Sequence, residues 1–455
     1  MKNITIVGCG LVGCLLAISL AREGYNVTVY ERDTDPRERP TPSNRSINVT
    51  VSARGFRALE TVGLAEAVRS KSIPVYGRLI HGRDCSLVFQ PYGVNREANY
   101  ALRRQDLLLT LLQAADEYEQ IRFVFNQHCT HVDLENASLR LEDTITGETS
   151  HITSDLLFGA DGAFSTIRQA MQRKKRFNYS QQYCDLGYRE IILPYHAVQQ
   201  LSWQTTAFHL WPRQQIMLYG FFDIYNELTL SLLLPFSGKI SHETINNQVI
   251  LNQLFQTEFP DLAPLLKSEL DRYFAKPVEP MPTIRCYPWV YNGSVALIGD
   301  ACHAVLPFYG QGANAGFEDC QLLMEQLHRS HGDWTEALHS WQTNRKPDAD
   351  ALADLCIEHG DTLMTTVDDP LYQLRSRIER ALQHHFPERT YLYHNVSFTC
   401  MSYTDAVHHE RAHQELINRL LQVPDIETKL ESPEFRVLLE QYVTLEPPLS
   451  LKPII

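Results

Sequence analysis

The stretch NITIVGCGLVGCLLAISLAREGYNVTVYERD, residues 3–33, alternates apolar runs with a glycine-rich turn and ends in charged residues. This pattern predicts a buried strand at residues 2–7, a helix at 11–23 and a second strand at 26–31. Two strands joined by a helix pair in parallel. The fold class predicted from this unit is therefore α/β.

A glycine fingerprint, Gly8-x-Gly10-x-x-Gly13, lies between the first strand and the helix, and Glu31 ends the next strand. The glycines allow a tight turn and a close approach of a pyrophosphate to the helix N-terminus. Glu31 can accept hydrogen bonds from the ribose of an adenosine. The fingerprint predicts dinucleotide binding and leaves open whether the dinucleotide is NAD or FAD.

The chain has 455 residues, 44% of them hydrophobic, which is enough for two or three structural units. A net charge of −13 disfavours a nucleic-acid or anionic-membrane surface and favours small-molecule partners. Ten cysteines without a CxxC pair indicate reduced thiols in a cytoplasmic protein and no metal site. Because no long apolar run is present, and the tail LEPPLSLKPII is short and proline-rich, we expect a soluble protein.

The character of the chain changes twice along its length. Short β-rich runs from about 180 to 236 predict a mainly antiparallel sheet, and from about 312 onward the pattern is helical. The basic run RKKR, residues 173–176, is interpreted as a solvated loop. We predict a discontinuous dinucleotide-binding domain (1–75, 100–175 and 285–330), an inserted β-sheet domain that would hold the substrate (76–99 and 176–284) and a helical C-terminal region (331–455).

Two further turns follow apolar strands. Asp161-Gly162 precedes a helix that begins near Ser165, and Gly299-Asp300 opens the stretch GDACHAVLPFYGQGANAGFEDC that leads into another helix. A carboxylate at a strand end can bind ribityl hydroxyls, and a glycine-rich helix start offers N–H groups to a pyrophosphate or a flavin ring. These turns favour a flavin as the dinucleotide.

The three motifs together resemble the single-component aromatic hydroxylases, which bind FAD and use NAD(P)H. Members of this family have one nucleotide-binding fold, and accordingly no second GxGxxG follows a strand in this sequence. The resemblance implies a Rossmann-like FAD-binding domain, noncovalent FAD and transient nicotinamide binding. It also implies that reduced flavin reacts with O₂ to a C4a-hydroperoxide, which transfers one oxygen atom to an electron-rich ring.

Four segments resemble the kynurenine 3-monooxygenase family more specifically: RSINVTVSARG (45–55), RFNYSQQYCDLGY (176–188), FHLWPR (208–213) and PFYGQGANAGFEDC (307–320). This resemblance implies NADPH-dependent hydroxylation of L-kynurenine to 3-hydroxykynurenine, in the tryptophan-degrading kynurenine pathway. Eukaryotic members of the family add a membrane anchor. We expect a cytoplasmic, bacterial enzyme without one, as a monomer or weak homodimer.

The resemblance also implies site residues. Arg78 and Tyr92 match the residues that bind the substrate carboxylate, and Tyr393 matches a tyrosine at the amino-acid head. His359 stands where the family has Asn, so a substrate contact and a surface or capping role both stay open. The implied cofactor-binding residues are Gly8, Gly10, Val12, Gly13, Tyr30, Glu31, Arg32, Thr50, Arg104, Cys129, Asp161, Asp300, Gly312, Ala313 and Asn314.

Two alternatives remain. The chain could be an FAD-dependent hydroxylase of another aromatic acid, or a non-catalytic FAD-binding metabolite sensor. A flavin-dependent halogenase is disfavoured because no Trp-x-Trp-x-Ile-Pro stretch is present.

Overall fold

The computed structural model describes residues 2–38, 48–266, 269–430 and 432–443. The first residues of the segment RSINVTVSARG and the C-terminal stretch 444–455 lie outside this part of the chain. The prediction for the tail LEPPLSLKPII therefore lies outside the described residues as well.

The strands of the described residues are β1 (Asn3–Val7), β2 (Asn26–Tyr30), β3 (Asn48–Val51), β4 (Ile73–Val75), β5 (Gly77–His81), β6 (Leu87–Pro91), β7 (Asn99–Arg103), β8 (Ile121–Val124), β9 (Gln127–Asp133), β10 (Ser138–Asp143), β11 (Thr149–Thr153), β12 (Leu156–Gly159), β13 (Asn178–Leu193), β14 (Phe208–Arg213), β15 (Ile216–Phe222), β16 (Leu228–Pro235), β17 (Glu279–Tyr287), β18 (Val290–Tyr291) and β19 (Val295–Leu297).

The α-helices are α1 (Leu11–Arg22), α2 (Ala53–Thr61), α3 (Ala65–Arg69), α4 (Arg104–Ala115), α5 (Thr166–Gln172), α6 (Tyr195–Val198), α7 (Gln248–Glu258), α8 (Asp300–His303), α9 (Gly312–Arg329), α10 (Trp334–Thr365), α11 (Pro370–His385), α12 (Leu392–Phe398), α13 (Tyr403–Leu421), α14 (Ile426–Lys429) and α15 (Pro433–Val443). Short 3₁₀ segments cover Ala263–Leu265, Glu269–Ala275 and Pro307–Tyr309.

A six-stranded sheet carries the glycine fingerprint. Its order is β18-β19-β12-β1-β2-β8, with parallel pairing throughout except at the β18 edge. Helix α1 covers this sheet and buries ten of its 12 residues, because α4 and α9 pack on its outer side. The fingerprint loop, Asp161 and Asp300 all follow the carboxyl ends of neighbouring parallel strands, where ligands of such sheets bind.

A seven-stranded sheet in the order β17-β13-β16-β15-β14-β5-β6 forms the second layer. Its pairs are antiparallel except β14 with β5. One face packs against α7 and the 3₁₀ segments that follow it. The other face packs against α10, α12 and α13, so the C-terminal helices close over the sheet. Two three-stranded sheets, β11-β10-β9 and β3-β7-β4, complete the fold.

The predicted fold class is confirmed: a mixed α/β chain with a parallel nucleotide-binding sheet, a mainly antiparallel sheet and a helical C-terminal region. The boundaries of the predicted domains stay predictions. In the described part of the chain, no helix combines the length and apolar character needed to cross a membrane.

Candidate active site

The fingerprint turn is held in a conformation that requires glycine at its first position. Gly8 has a φ of +104°, and a Cβ there would lie 2.4 Å from the carbonyl oxygen of Ala160 on the neighbouring chain segment. A Cβ at Gly13 would lie 2.0 Å from the Gly8 carbonyl oxygen. Gly13 therefore brings α1 close under the turn and does not itself line a cavity.

A polar cavity of about 780 Å³ opens beside this turn. Glu31 lies in it, accepting hydrogen bonds from the backbone N–H of Cys9 at 2.7 Å and of Asp33 at 3.0 Å, which fixes the carboxylate at the strand end. The predicted cofactor-binding residues that line this cavity are Gly8, Gly10, Tyr30, Glu31, Arg32, Arg104, Cys129 and Asp161.

Asp161 accepts a hydrogen bond from the start of α5 with one carboxylate oxygen, and its other oxygen has no partner. Its Oδ2 accepts from the Thr166 N–H at 2.7 Å, whereas its Oδ1 is buried and has no partner. Burial raises the pKa of Asp161, although the hydrogen bonds at the helix start oppose that shift. A buried carboxylate oxygen without a donor costs free energy unless a ligand hydroxyl or amide supplies one. The residue therefore fits the polar part of a flavin dinucleotide.

A second, more apolar cavity of about 360 Å³ adjoins the first. Gly10, Arg104, Ala160 and Gly162 line both, so the two cavities meet beside the fingerprint. Arg104 begins α4 at this junction, is exposed, and has no ion pair among the described residues. An unpaired guanidinium beside a helix N-terminus suits a pyrophosphate.

The glycine-rich loop forms one end of this second cavity. Val12, Thr50, Asp300, Gly312 and Ala313, all predicted to bind the cofactor, line it. The Asp300 carboxylate is exposed to the cavity and makes no hydrogen bond to a described residue.

Asn314 holds this loop in place from behind. Its side-chain amide donates to the carbonyl oxygens of Thr50 and Gly310, both at 2.8 Å, and its Oδ1 accepts from the Ser52 N–H at 2.9 Å. The residue is buried and does not line either cavity. Its contribution to a cofactor site would therefore be indirect.

The predicted substrate residues meet at the opposite end. Arg78 in β5 is 7% exposed, and its Nη2 lies 3.0 Å from Nε2 of His359 on α10. The guanidinium also lies over the rings of Tyr393 and Tyr92, 4.7 and 5.6 Å from their centroids. The structure thus brings together four side chains that are far apart in the sequence, and His359 is neither a surface residue nor a cap.

Two residues at this end were not predicted from the sequence. Tyr309 is buried, stacks on the ring of Tyr393, packs at a tilt against the ring of His359, and lines the cavity. Asn99 donates to the Tyr393 hydroxyl at 3.3 Å. Tyr309 lies within the PFYGQG stretch, so its position beside the glycine-rich loop was a usable signal, whereas Asn99 carries none.

Apolar and aromatic side chains form the walls between the two ends: Phe208, Met217, Tyr219, Phe221, Val305, Phe308 and Leu363. The cavity therefore has a buried guanidinium at one end, an apolar middle and the glycine-rich loop at the other. It suits an aromatic ring that carries an acidic head group.

Comparison with known proteins agrees with this geometry. Residues 1–217 and 284–355 match a sequence family described as an FAD binding domain. Kynurenine 3-monooxygenase of Christiangramia forsetii is 37% identical over 434 residues, which cover 95% of this chain and 97% of that protein. Its counterpart in Dictyostelium discoideum is 32% identical and covers 93% and 94% of the two chains.

Solved structures share the fold at lower identity. 2-Methyl-3-hydroxypyridine-5-carboxylic acid oxygenase superimposes with a TM-score of 0.67 at 22% identity, covering 83% of this chain and 96% of that one. The tetracycline destructase Tet(51) gives 0.60 at 15% identity, covering 83% and 95%. At these identities the likeness concerns the fold alone.

Proposed function

The chain belongs to the kynurenine 3-monooxygenase family, and from that membership we propose that it uses FAD, NADPH and O₂ to hydroxylate L-kynurenine to 3-hydroxykynurenine. It is an enzyme of the flavoprotein monooxygenase class. The observation that carries the substrate proposal is the buried Arg78, which has no carboxylate partner among the described residues and faces the apolar cavity beside the glycine-rich loop.

On the cofactor side, different charged residues suit different parts of FAD. Glu31 would accept from the adenosine ribose, Arg104 would pair with the pyrophosphate, and Asp161 and Asp300 would accept from hydroxyls of the ribityl chain. Bound FAD would supply the two-electron exchange with NADPH and the activation of O₂. Cys129 would contribute only its backbone.

On the substrate side, the residues bind and orient. Arg78 would grip the carboxylate of kynurenine, and the hydroxyls of Tyr92 and Tyr393 would donate to it. His359 lies at the same end, in contact with the guanidinium of Arg78. With the head group fixed here, the aniline ring extends between Phe208, Met217 and Phe221 toward the loop at Gly312.

The walls would also limit the access of water. The C-terminal helices cover the sheet face that carries Arg78, and Leu363 on α10 closes the apolar middle of the cavity. A dry site strengthens the pairing of Arg78 with a carboxylate and limits loss of a reactive oxygen species to solvent. We propose no general acid or base among the residues of this cavity.

The proposal is tested with the purified chain. Heat denaturation should release free FAD, and L-kynurenine should stimulate NADPH oxidation. Release of FMN, or NADPH oxidation that is indifferent to kynurenine while another aromatic acid stimulates it, would contradict the proposal. A protein that binds FAD and never consumes NADPH would instead be the metabolite sensor.

A further inference from the structure

The position of His359 depends on the next residue of α10, Gly360. A Cβ at Gly360 would lie 2.4 Å from Cδ2 of Phe308, so only glycine lets the helix approach the 3₁₀ turn at Pro307–Tyr309 this closely. The imidazole then packs against the ring of Tyr309, with centroids 4.3 Å apart and the planes tilted by 36°, and its centroid lies 5.6 Å from that of the Tyr393 ring. The two tyrosines fix the plane of the imidazole.

The contact between Arg78 and His359 defines the protonation state of the ring. A guanidinium has only donors, so Nε2 of His359 must accept from Nη2 of Arg78, 3.0 Å away. The imidazole is therefore neutral, with its proton on Nδ1. Burial and the neighbouring Arg78 lower the pKa of His359 well below its usual range, in agreement with this assignment.

A neutral partner has a consequence for Arg78. The described residues place no carboxylate within ion-pair distance of its guanidinium, and the groups that contact it include the neutral His359 and the rings of Tyr92 and Tyr393. A carboxylate at position 359 would hold the guanidinium equally well but would compete with the carboxylate of the ligand. An imidazole orients the guanidinium and leaves its charge available.

We propose that His359 is a positioning residue, which holds the Arg78 guanidinium through a neutral acceptor nitrogen and so preserves its orientation and charge for the carboxylate of the substrate. This inference rests on the proposed function in one respect, because it takes Arg78 as the partner of that carboxylate. His359 transfers no proton in the reaction.

Three substitutions separate orientation from charge in the FAD-loaded full chain. His359→Leu removes the acceptor and should weaken L-kynurenine binding by about tenfold or more, with KM rising far more than kcat falls. His359→Asn restores a neutral acceptor and should recover most of that loss. His359→Asp places a carboxylate beside Arg78 and should weaken binding more than His359→Leu does. FAD content verifies that each variant is folded.

A ligand pair and a double-mutant cycle distinguish action through Arg78 from direct contact. Kynurenamine, which is kynurenine without its carboxylate, cannot use Arg78, so His359→Leu should leave its binding unchanged. In an Arg78→Ala background, adding His359→Leu should likewise change kynurenine binding little, because coupled residues do not add. Binding is followed by the change in flavin absorbance, which does not depend on turnover.

The inference is overturned if His359→Leu binds kynurenine like the wild type, if kynurenamine loses as much affinity, or if the loss persists without Arg78. Failure of the proposed function has a different signature. In that case the wild-type enzyme itself shows no kynurenine-dependent NADPH oxidation, whatever residue 359 is.

Discussion

At the scale of single residues, the proposed substrate depends most on Arg78. Its guanidinium is buried, and the described residues supply it no carboxylate. We expect Arg78→Ala to weaken kynurenine binding by about 2–5 kcal/mol, because the substrate carboxylate would lie in a dry site without its partner. Arg78→Lys should fall between, since lysine keeps the charge and loses the bidentate fork. Flavin absorbance titrations measure both affinities.

The matched control is Arg57→Ala, because Arg57 is half exposed on α2 and pairs only weakly with Glu325. It should bind kynurenine like the wild type. Unchanged kynurenine affinity in Arg78→Ala would mean that the carboxylate is held elsewhere.

Asp300 tests the cofactor site at the same scale. The Asp300 carboxylate faces the cavity and makes no hydrogen bond to a described residue. Removing it should therefore lower the affinity for FAD and leave the fold intact. We expect Asp300→Ala to fold with reduced FAD occupancy, measured as the ratio of flavin to protein absorbance. Asp354→Ala, at an exposed surface ion pair, is the control and should retain full occupancy. Full occupancy in Asp300→Ala would remove this residue from the proposed site.

How far the site could be predicted depends on where each residue's signal lies. Glu31 and Asp161 follow strands within recognisable motifs, so their positions beside one cavity could be predicted. Asn99 and Tyr309 acquire their roles through contacts with Tyr393, nearly 300 and about 80 residues away in the chain. His359 is an intermediate case. The resemblance indicated its position in the sequence, and only its contact with Arg78 in the structure indicates a role.

At the scale of elements, the turn between β1 and α1 requires glycine at position 8, and this requirement can be tested. Gly8→Ala forces a Cβ against the Ala160 carbonyl at a φ of +104°, whereas Gly24→Ala meets nothing within 4 Å at a φ of +85°. Both substitutions carry the cost of a left-handed conformation, about 1–2 kcal/mol. Only Gly8→Ala should additionally lose FAD occupancy and shift the thermal midpoint further. Equal effects at both positions would show that the clash at Ala160 is relieved without consequence.

The predicted elements and the observed ones differ where a glycine redirects the chain. The sequence predicts that Asp300 ends a strand, but the strand stops at Leu297 and Asp300 is the first residue of α8. Two residues, Ile298 and Gly299, separate strand and helix, and the φ of +64° at Gly299 allows this tight turn. The apolar pattern of the sequence predicts β19. The direction of the Asp300 carboxylate depends on the φ of Gly299, which a hydropathy pattern does not reveal.

At the scale of the whole molecule, buried neutral histidines make stability depend on pH. Burial lowers the pKa of His209 and of His413 to about 3 each. The unfolded chain takes up these protons near pH 6.5, so the contribution of these two histidines to stability should be complete above about 6.5 and decline as the pH falls toward 3. Thermal midpoints measured from neutral to acid pH should fall accordingly.

His209→Gln should flatten that decline, because the variant removes one of the groups that must be protonated on unfolding. His131→Gln, at an exposed position, is the control and should follow the wild type. Parallel pH curves for the wild type and His209→Gln would contradict the account of this histidine.

The whole fold serves one arrangement: the parallel sheet presents the fingerprint loop and two carboxylates, the antiparallel sheet presents Arg78, and the C-terminal helices close the space between. The most direct test of that account is turnover with heavy-isotope O₂, NADPH and L-kynurenine, with the product identified by mass. The account predicts 3-hydroxykynurenine carrying one labelled oxygen atom for each molecule formed. Unlabelled product, or NADPH consumption with kynurenine unchanged, would contradict it.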